Sequence, residues 1–140
     1  MEKEVVLSGI RPTGFLHLGN YFGALRNYVR MQDAFNCYFF VANWHSLTTH
    51  PDTKELQNNV HRVIAENIAC GLDPDKVALY IQSAVPEIAE LYLYLNCLAY
   101  KGALEQPASF KDKVRRQPEI SNAGLLTYPF FQESGLLVPL

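Results

Sequence analysis

Three glycines punctuate the segment RPTGFLHLGNYFGAL, which runs from Arg11 to Leu25. The apolar run Val5–Leu7 precedes it, so the segment lies where a buried strand turns into a helix. Gly14 can adopt backbone angles that a side chain forbids, and Gly19 lets a flat ring lie against the backbone. A helix N-terminus presents unpaired N–H groups and a partial positive charge, which suit phosphate.

His17 and Asn20 lie inside the same turn and carry groups that can bond phosphate or ribose oxygens. The spacing of the glycines matches neither the Walker pattern nor GxGxxG. The segment therefore predicts nucleotide binding, but through a turn that differs from both common fingerprints. The alternative is an ordinary strand–turn–helix with a surface histidine.

Apolar periodicity predicts an alternating order of strands and helices. Strands are predicted at residues 4–8, 37–42 and 77–81, and helices at 18–32, from Asp52 to Gly71 and from Pro86 to about Gly102. The order β-α-β-α-β-α indicates a parallel sheet with right-handed crossovers, which is a doubly wound α/β fold. Such sheets bind ligands at the carboxyl ends of their strands, where the chemically informative segments fall.

Each predicted helix has an apolar face at helical spacing. Those faces consist of Leu18, Phe22, Leu25 and Val29, then Val60, Val63, Ile64 and Ile68, then Leu91, Leu95 and Leu98. Asp52 and Glu55 have the spacing of a capping box and predict the start of the second helix. Three strands with an edge on each side look like half of a larger sheet.

Bulk composition narrows the possible classes of protein. The 140 residues suit one globular domain, and the net charge of −2 gives no global basic field for nucleic acid. Apolar runs are too short to span a bilayer and the N-terminus lacks a signal-peptide core, which predicts a cytoplasmic protein that does not enter membranes. Cys37, Cys70 and Cys97 predict buried apolar thiols rather than a disulfide or a zinc site.

The segment His17-Leu18-Gly19-Asn20 resembles the His-Ile-Gly-His signature of class I aminoacyl-tRNA synthetases. The longer string SGIRPTGFLHLGNYFGAL resembles the tryptophanyl-tRNA synthetase family, including asparagine in place of the final histidine. The resemblance continues through NCYFFVANWHSLTTHP, YIQSAVPE, SFKDK and AGLLTYP, and so covers roughly residues 5–129. Tyrosyl-tRNA synthetase is the neighbouring family, but GNYFGAL and GLLTYP fit it poorly.

The resemblance implies a Rossmann-like nucleotide fold that joins tryptophan to ATP and then transfers tryptophan to tRNA(Trp). ATP would be bound by Arg11, Thr13, Gly14, His17, Gly19 and Asn20. Arg11 would face both the α-phosphate and the amino-acid carboxylate, and Lys111 and Lys113 would follow the pyrophosphate. These two lysines, with Arg11 and His17, form the catalytic set that the resemblance implies. Mg²⁺ would accompany ATP without a protein ligand, and no other metal site is expected.

The resemblance also implies an apolar tryptophan pocket lined by Leu7, His45 and Tyr128, with Gln82 near the ammonium group. Without it, His45 is more simply a loop histidine with satisfied hydrogen bonds, and Lys111 and Lys113 belong to a solvated, mobile basic loop. The family is dimeric, so a homodimer is expected, with the helix after Pro86 near its interface.

Three departures from the family pattern bear on activity. The second signature, Lys-Met-Ser-Lys-Ser, and the helical anticodon-binding domain are absent from residues 1–140. The resemblance therefore implies that these residues are a truncated, N-terminal half of the catalytic domain. Gly135 falls about where the family has an aspartate that accepts the indole N–H. A tryptophan–tRNA ligase is the first hypothesis. The alternatives are a truncated, non-catalytic relative that binds ATP weakly or pairs with an intact subunit, and an unrelated adenylyl-transfer protein.

Overall fold

The computed structural model describes residues 3–49, 52–104, 111, 114–115 and 122–137. Within them lie three parallel strands in the order β1-β2-β3, namely β1 Val5–Ile10, β2 Asn36–Val41 and β3 Ala78–Ile81. The predicted α/β class and parallel sheet are confirmed, and each predicted strand is displaced by only one or two residues.

Helices connect and flank the strands. They are α1 Leu18–Asn20, α2 Arg26–Met31, α3 Asn43–Ser46, α4 Leu56–Ala69, α5 Glu87–Leu98, α6 Lys101–Leu104, α7 Ala123–Leu126 and α8 Tyr128–Leu137, with a π-helical turn at Tyr21–Leu25 and a 3₁₀ turn at Gln82–Ala84. In the described part of the chain, none of these helices is both long and apolar enough to cross a membrane.

The π-helical turn changes which residues of the first helical segment are buried. Leu25 and Tyr28 are buried, whereas Leu18 is 75% exposed and Phe22 is also exposed, so the predicted apolar face is wrong at its N-terminal end. The reason is that Arg26 N–H bonds the carbonyl of Tyr21, five residues back, which widens the turn and rotates the later part of the helix.

One face of β2 forms the centre of the core. Cys37, Phe39 and Val41 alternate along it and are buried with residues from the helices that cross that face. The rings of Phe39 and Tyr28 stack with centroids 4.0 Å apart. Cys37 is a buried thiol as expected, but Cys70 and Cys97 are exposed, which corrects that part of the prediction.

The start of α4 differs from the predicted capping box. The helix begins at Leu56 rather than after Asp52, because Asp52 closes a local turn by accepting a hydrogen bond from Lys54 N–H at 3.0 Å and Glu55 makes no side-chain cap. Near the end of the helix, Asn67 is buried and its amide donates to Val63 O at 2.7 Å, whereas Ile68 is exposed.

The end of α5 also differs from its prediction. Pro86 precedes the first residue of the helix, as expected, but the helix ends at Leu98 because Ala99 is extended. Leu98 is 76% exposed and Ile88 is the buried residue of the helix, so the predicted face is wrong at its last position. Gly102 lies in the separate helix α6.

Candidate nucleotide and amino-acid site

A cavity of about 490 Å³ opens at the carboxyl end of β1, where a doubly wound sheet binds its ligands. Six of the predicted site residues line it, namely Leu7, Arg11, Thr13, Asn20, His45 and Tyr128. The structure therefore brings together side chains separated by more than a hundred residues. Predicted ATP-binding residues Gly14, His17 and Gly19 lie in the turn beside the cavity rather than in its lining.

The signature turn is held by two reciprocal hydrogen bonds that close a capping box. His17 Nδ1 accepts from Gly19 N–H at 3.0 Å, and Asn20 Oδ1 accepts from His17 N–H at 3.0 Å. Since Nδ1 is an acceptor here, the neutral ring carries its proton on Nε2. The flat ring that lies against the backbone of Gly19 is thus the imidazole of His17. Gly14 has a φ of 133°, a conformation that favours glycine.

Helix α4 holds the residues just before this turn. Glu66 Oε2 accepts a hydrogen bond from Leu16 N–H at 3.2 Å, and the guanidinium of Arg62 lies 4.0 Å from the centre of the Phe15 ring. Arg62 and Glu66 are one helical turn apart, so both reach the same segment. The sequence did not predict these contacts. The (i, i+4) spacing of Arg62 and Glu66 places them on one face of α4 but does not determine which loop packs against that face.

Arg11 extends from the end of β1 and is exposed. Its guanidinium donates to the hydroxyl oxygen of Thr49 at 3.2 Å, which links the loop after β1 to the segment after α3. Lys111, predicted to follow the pyrophosphate, is also exposed, whereas Lys113 lies outside the described residues together with most of the basic segment.

A buried pair, His45 and Gln82, joins the ends of β2 and β3. Gln82 is 0% exposed and His45 is 5% exposed. Gln82 Nε2 lies 2.7 Å from His45 Nδ1, and His45 N–H donates to Gln82 Oε1 at 3.3 Å. Gln82 therefore lies behind His45 rather than in the lining of the cavity.

A second reciprocal pair lies beside the first. Asn43 Nδ2 donates to Ser83 Oγ at 2.8 Å, and Ser83 N–H donates to Asn43 Oδ1 at 3.1 Å. The sequence alone did not identify this pair, although both residues closely follow predicted strands. The two pairs together clamp the carboxyl ends of β2 and β3.

Aromatic rings surround His45, and two of them, Phe40 and Tyr128, form one wall of the cavity together with it. The imidazole centre lies 4.6 Å from the Phe131 ring, 5.1 Å from the Tyr128 ring and 6.5 Å from the Phe40 ring. Phe40 in turn lies across Gly9, where a β-carbon would be only 2.6 Å from the ring. At Gly135, by contrast, the nearest atom to an added β-carbon would be Gln82 Nε2 at 3.9 Å.

The pKa of Tyr80, whose ring packs against Phe40 of this wall, is shifted from its usual value. Tyr80 stacks on Phe40, and within the described residues its buried hydroxyl has no hydrogen-bond partner. Burial, with a smaller contribution from Tyr38, raises the pKa of Tyr80 to about 12. Over the same described residues, His, Cys, Asp and Glu do not gather in groups of three or more that could hold a metal ion.

The parallel sheet, the glycine-containing turn and the cavity beside it define an α/β unit with a candidate ligand site at the carboxyl end of β1. The family model for class I tRNA synthetases (W and Y) matches residues 2–139, so the chain belongs to this family of tryptophan and tyrosine synthetases.

Two curated relatives make the similarity specific. The chain is 57% identical over 135 residues to the tryptophan–tRNA ligase of Porphyromonas gingivalis and 44% identical over 136 residues to that of Rickettsia felis. These matches cover 96% and 97% of this chain and 41% of each relative. The chain thus spans about two-fifths of the length of the relatives it matches.

Solved structures agree with the sequence relatives. The tryptophanyl-tRNA synthetase of Campylobacter jejuni, crystallised with ADP and tryptophan, matches with a TM-score of 0.88 at 36% identity, over 96% of this chain and 42% of that one. A tyrosyl-tRNA synthetase from Archaeoglobus fulgidus shares the fold, with a TM-score of 0.76 at 20% identity, over 94% of this chain and 42% of that one.

Proposed function

We propose that this chain forms the part of a tryptophan–tRNA ligase that binds ATP and tryptophan and brings them together. The observation that carries the proposal is the shared cavity. Arg11 and Asn20 of the signature segment line the same space as His45 and Tyr128 of the aromatic wall. A polar, cationic side therefore faces an apolar, aromatic side, which suits a reaction between a nucleotide phosphate and an aromatic amino acid.

In the proposed reaction, the tryptophan carboxylate attacks the α-phosphorus of ATP and releases pyrophosphate. A ribose hydroxyl of tRNA(Trp) then attacks the activated carbonyl and releases AMP. Neither step needs a protein nucleophile, so binding, orientation and neutralisation of charge supply the rate. Arg11 would neutralise charge between the carboxylate and the α-phosphate, and the turn from Gly14 to Asn20 would orient the nucleotide.

The remaining site assignments are proposed on the resemblance. Thr13 and Gly19 would belong to the ATP-binding turn, and Lys111 and Lys113 would follow the pyrophosphate. Mg²⁺ would arrive with ATP and be held by phosphate oxygens. Leu7 would contact the indole ring, and assembly as a homodimer in the cytoplasm belongs to the same proposal.

The deciding experiment is ATP–pyrophosphate exchange by the purified chain, with tryptophan, tyrosine or no amino acid. We expect exchange that requires tryptophan and falls at least tenfold in Asn20→Ala. Asn27→Ala, an exposed asparagine farther along the same helical segment, is the matched control and should retain the wild-type rate. Charging of tRNA(Trp) then tests the second step.

Other outcomes separate the alternatives. Exchange that is independent of any amino acid would contradict the proposed activation of tryptophan and would indicate adenylyl transfer to another acceptor. Absence of exchange from a folded chain that still binds ATP or tryptophan in a calorimeter would indicate a non-catalytic relative. Mixing that chain with an intact synthetase and measuring the assembly size would then test whether it pairs with a whole subunit.

A further inference from the structure

Gln82 is the largest polar side chain that is completely buried among the described residues, and it lies directly behind the aromatic wall of the cavity. It belongs to the 3₁₀ turn after β3. Its amide reaches His45, which does line the cavity. Gln82 is fully buried and does not line the cavity, so a ligand ammonium group could reach its amide only if the residues that cover it moved. The contacts favour a different role, which acts through the imidazole.

The orientation of the Gln82 amide is determined by the chemistry of its two partners. The backbone N–H of His45 can only donate, so the amide atom that faces it at 3.3 Å is the oxygen Oε1. The other end of the amide is then Nε2, which faces His45 Nδ1 at 2.7 Å. The backbone N–H of His45, which can only donate, thus fixes which end of the Gln82 amide is oxygen and which is nitrogen.

The same logic fixes the state of the imidazole. An amide NH₂ group can only donate, so Nδ1 of His45 must accept. In a neutral ring with Nδ1 unprotonated, the proton is on Nε2. The rings of Phe40, Tyr128 and Phe131 pack around the imidazole and limit its rotation.

We propose that Gln82 is a positioning residue that holds His45 as the neutral Nε2–H tautomer and thereby sets how the aromatic wall recognises an amino-acid ligand. The proposal rests on the proposed function, because it concerns the tryptophan side of that cavity. A ring in this state cannot accept a hydrogen bond at Nε2. The wall therefore offers a ligand the face of an aromatic ring but no acceptor nitrogen from His45.

The tautomer can be read directly by NMR on the full chain labelled with ¹⁵N in its four histidines. Long-range proton–nitrogen spectra distinguish the two neutral tautomers and the doubly protonated ring, and loss of signals in His45→Phe assigns the residue. We expect the Nε2–H pattern for His45. An Nδ1–H pattern or a doubly protonated ring at neutral pH would overturn the proposal.

Gln82→Glu keeps the shape of the side chain and changes its charge, so it tests whether Gln82 sets the tautomer of His45. In Gln82→Glu both side-chain oxygens accept only, so the carboxylate should draw the ring proton to Nδ1. Gln57→Glu makes the same substitution at an exposed position on α4 and should leave the Nε2–H pattern intact. An unchanged tautomer in folded Gln82→Glu would show that Gln82 does not set it.

Gln82→Met serves as a second variant where Gln82→Glu fails to fold, as judged by its amide spectrum. It removes both hydrogen bonds at similar volume, so His45 should exchange between tautomers and give averaged nitrogen shifts. Retention of the pure Nε2–H pattern in that variant would also overturn the proposal.

Calorimetric titration with tryptophan and, separately, with ATP measures the consequence for the ligand. Folded Gln82→Glu should bind tryptophan at least fivefold more weakly, with ATP affinity changed less than twofold. A switched tautomer with unchanged tryptophan affinity would overturn the role in recognition. A wild-type chain that binds no tryptophan would sink the proposed function and this recognition role together, while the spectra still decide whether Gln82 sets the tautomer.

Discussion

The imidazole of His17 lies so close to the backbone of Gly19 that a β-carbon at Gly19 would be 2.8 Å from its Cε1 atom. The same imidazole accepts the Gly19 N–H and caps the helix. Position 19 must therefore be glycine because the His17 ring occupies the space that a β-carbon would need.

Gly19→Ala should displace the His17 ring and remove this cap, at a cost of about 1 kcal/mol in the free energy of unfolding. Gly23→Ala is the matched control, because its β-carbon would meet no atom within 4 Å. It should stabilise the helical segment by roughly 0.5–1 kcal/mol. Urea unfolding measures both, and equal effects of the two substitutions would contradict this account of the turn.

Gly9→Ala should destabilise the chain through the Phe40 ring, which lies 2.6 Å from the added carbon. Overpacking of this kind costs about 1–3 kcal/mol. Combining it with Phe40→Leu should recover part of the loss, since the smaller side chain leaves room. Additive losses in a double-mutant cycle, measured by thermal unfolding, would show that the two positions do not compete for the same space.

Glu66→Ala should loosen the segment before the signature turn, since Leu16 N–H loses its carboxylate acceptor. Loss of a hydrogen bond to a charged group costs about 1.5–3 kcal/mol. Glu66→Gln keeps an acceptor oxygen and should lie between wild type and alanine. Hydrogen exchange at the Leu16 amide reports the contact itself, and equal protection in all three proteins would rule out the clamp.

Alkaline stability should depend on Tyr80, whose pKa is raised to about 12 by burial. An acid that holds its proton more tightly when folded contributes stability below the unfolded pKa, and loses that contribution as pH rises from about 10 towards 12. Tyr80→Phe should therefore flatten the decline in urea midpoint between about pH 9 and about pH 11.5. Tyr94→Phe, at an exposed position, is the control and should keep the wild-type slope.

At neutral pH the same Tyr80→Phe substitution should leave stability unchanged or slightly increased, because the hydroxyl that it removes is buried without a partner in the described residues. A clear loss of stability at neutral pH would indicate that the hydroxyl does have a partner in solution.

Gly135→Asp should strengthen tryptophan binding if the resemblance places this position opposite the indole nitrogen. The backbone is compatible, since an added β-carbon comes no closer than 3.9 Å to Gln82 Nε2. We expect about tenfold tighter binding, the value of one well-placed polar contact of about 1.4 kcal/mol. Gly135→Leu has similar bulk but no acceptor oxygen and is the control. Equal calorimetric affinities for all three proteins would refute the placement.

The sequence predicted those parts of the fold that depend on local periodicity. The strands, the long helix α4 and the glycine stop at Gly71, with its φ of 105°, are all encoded by patterns within a few residues. The π-helical turn escaped prediction because Leu18 and Phe22 keep helical spacing even though the backbone rotates their faces outward. Asp52 misled for a related reason, since one carboxylate can close a local turn as readily as it caps a helix.

For the candidate site, the sequence identified single residues but missed their partners. Resemblance pointed to His45 and Gln82, yet the bond between them depends on how the ends of β2 and β3 meet. The same holds for Asn43 with Ser83 and for Glu66 with Leu16, which are separated by 40 and 50 residues. Such pairings are set by the packed sheet and have no signal in local spacing.

The two reciprocal pairs between β2 and β3 have a consequence for the entropy of binding. Four hydrogen bonds already order His45, Gln82, Asn43 and Ser83 when the chain folds. A ligand that contacts His45 therefore restricts few additional rotamers, whereas Arg11 is an exposed, long side chain that a single side-chain hydrogen bond to Thr49 holds among the described residues. Binding should therefore lose less side-chain entropy on the His45 side of the cavity than on the Arg11 side, and the preordered His45 side is better suited to discriminating between ligands.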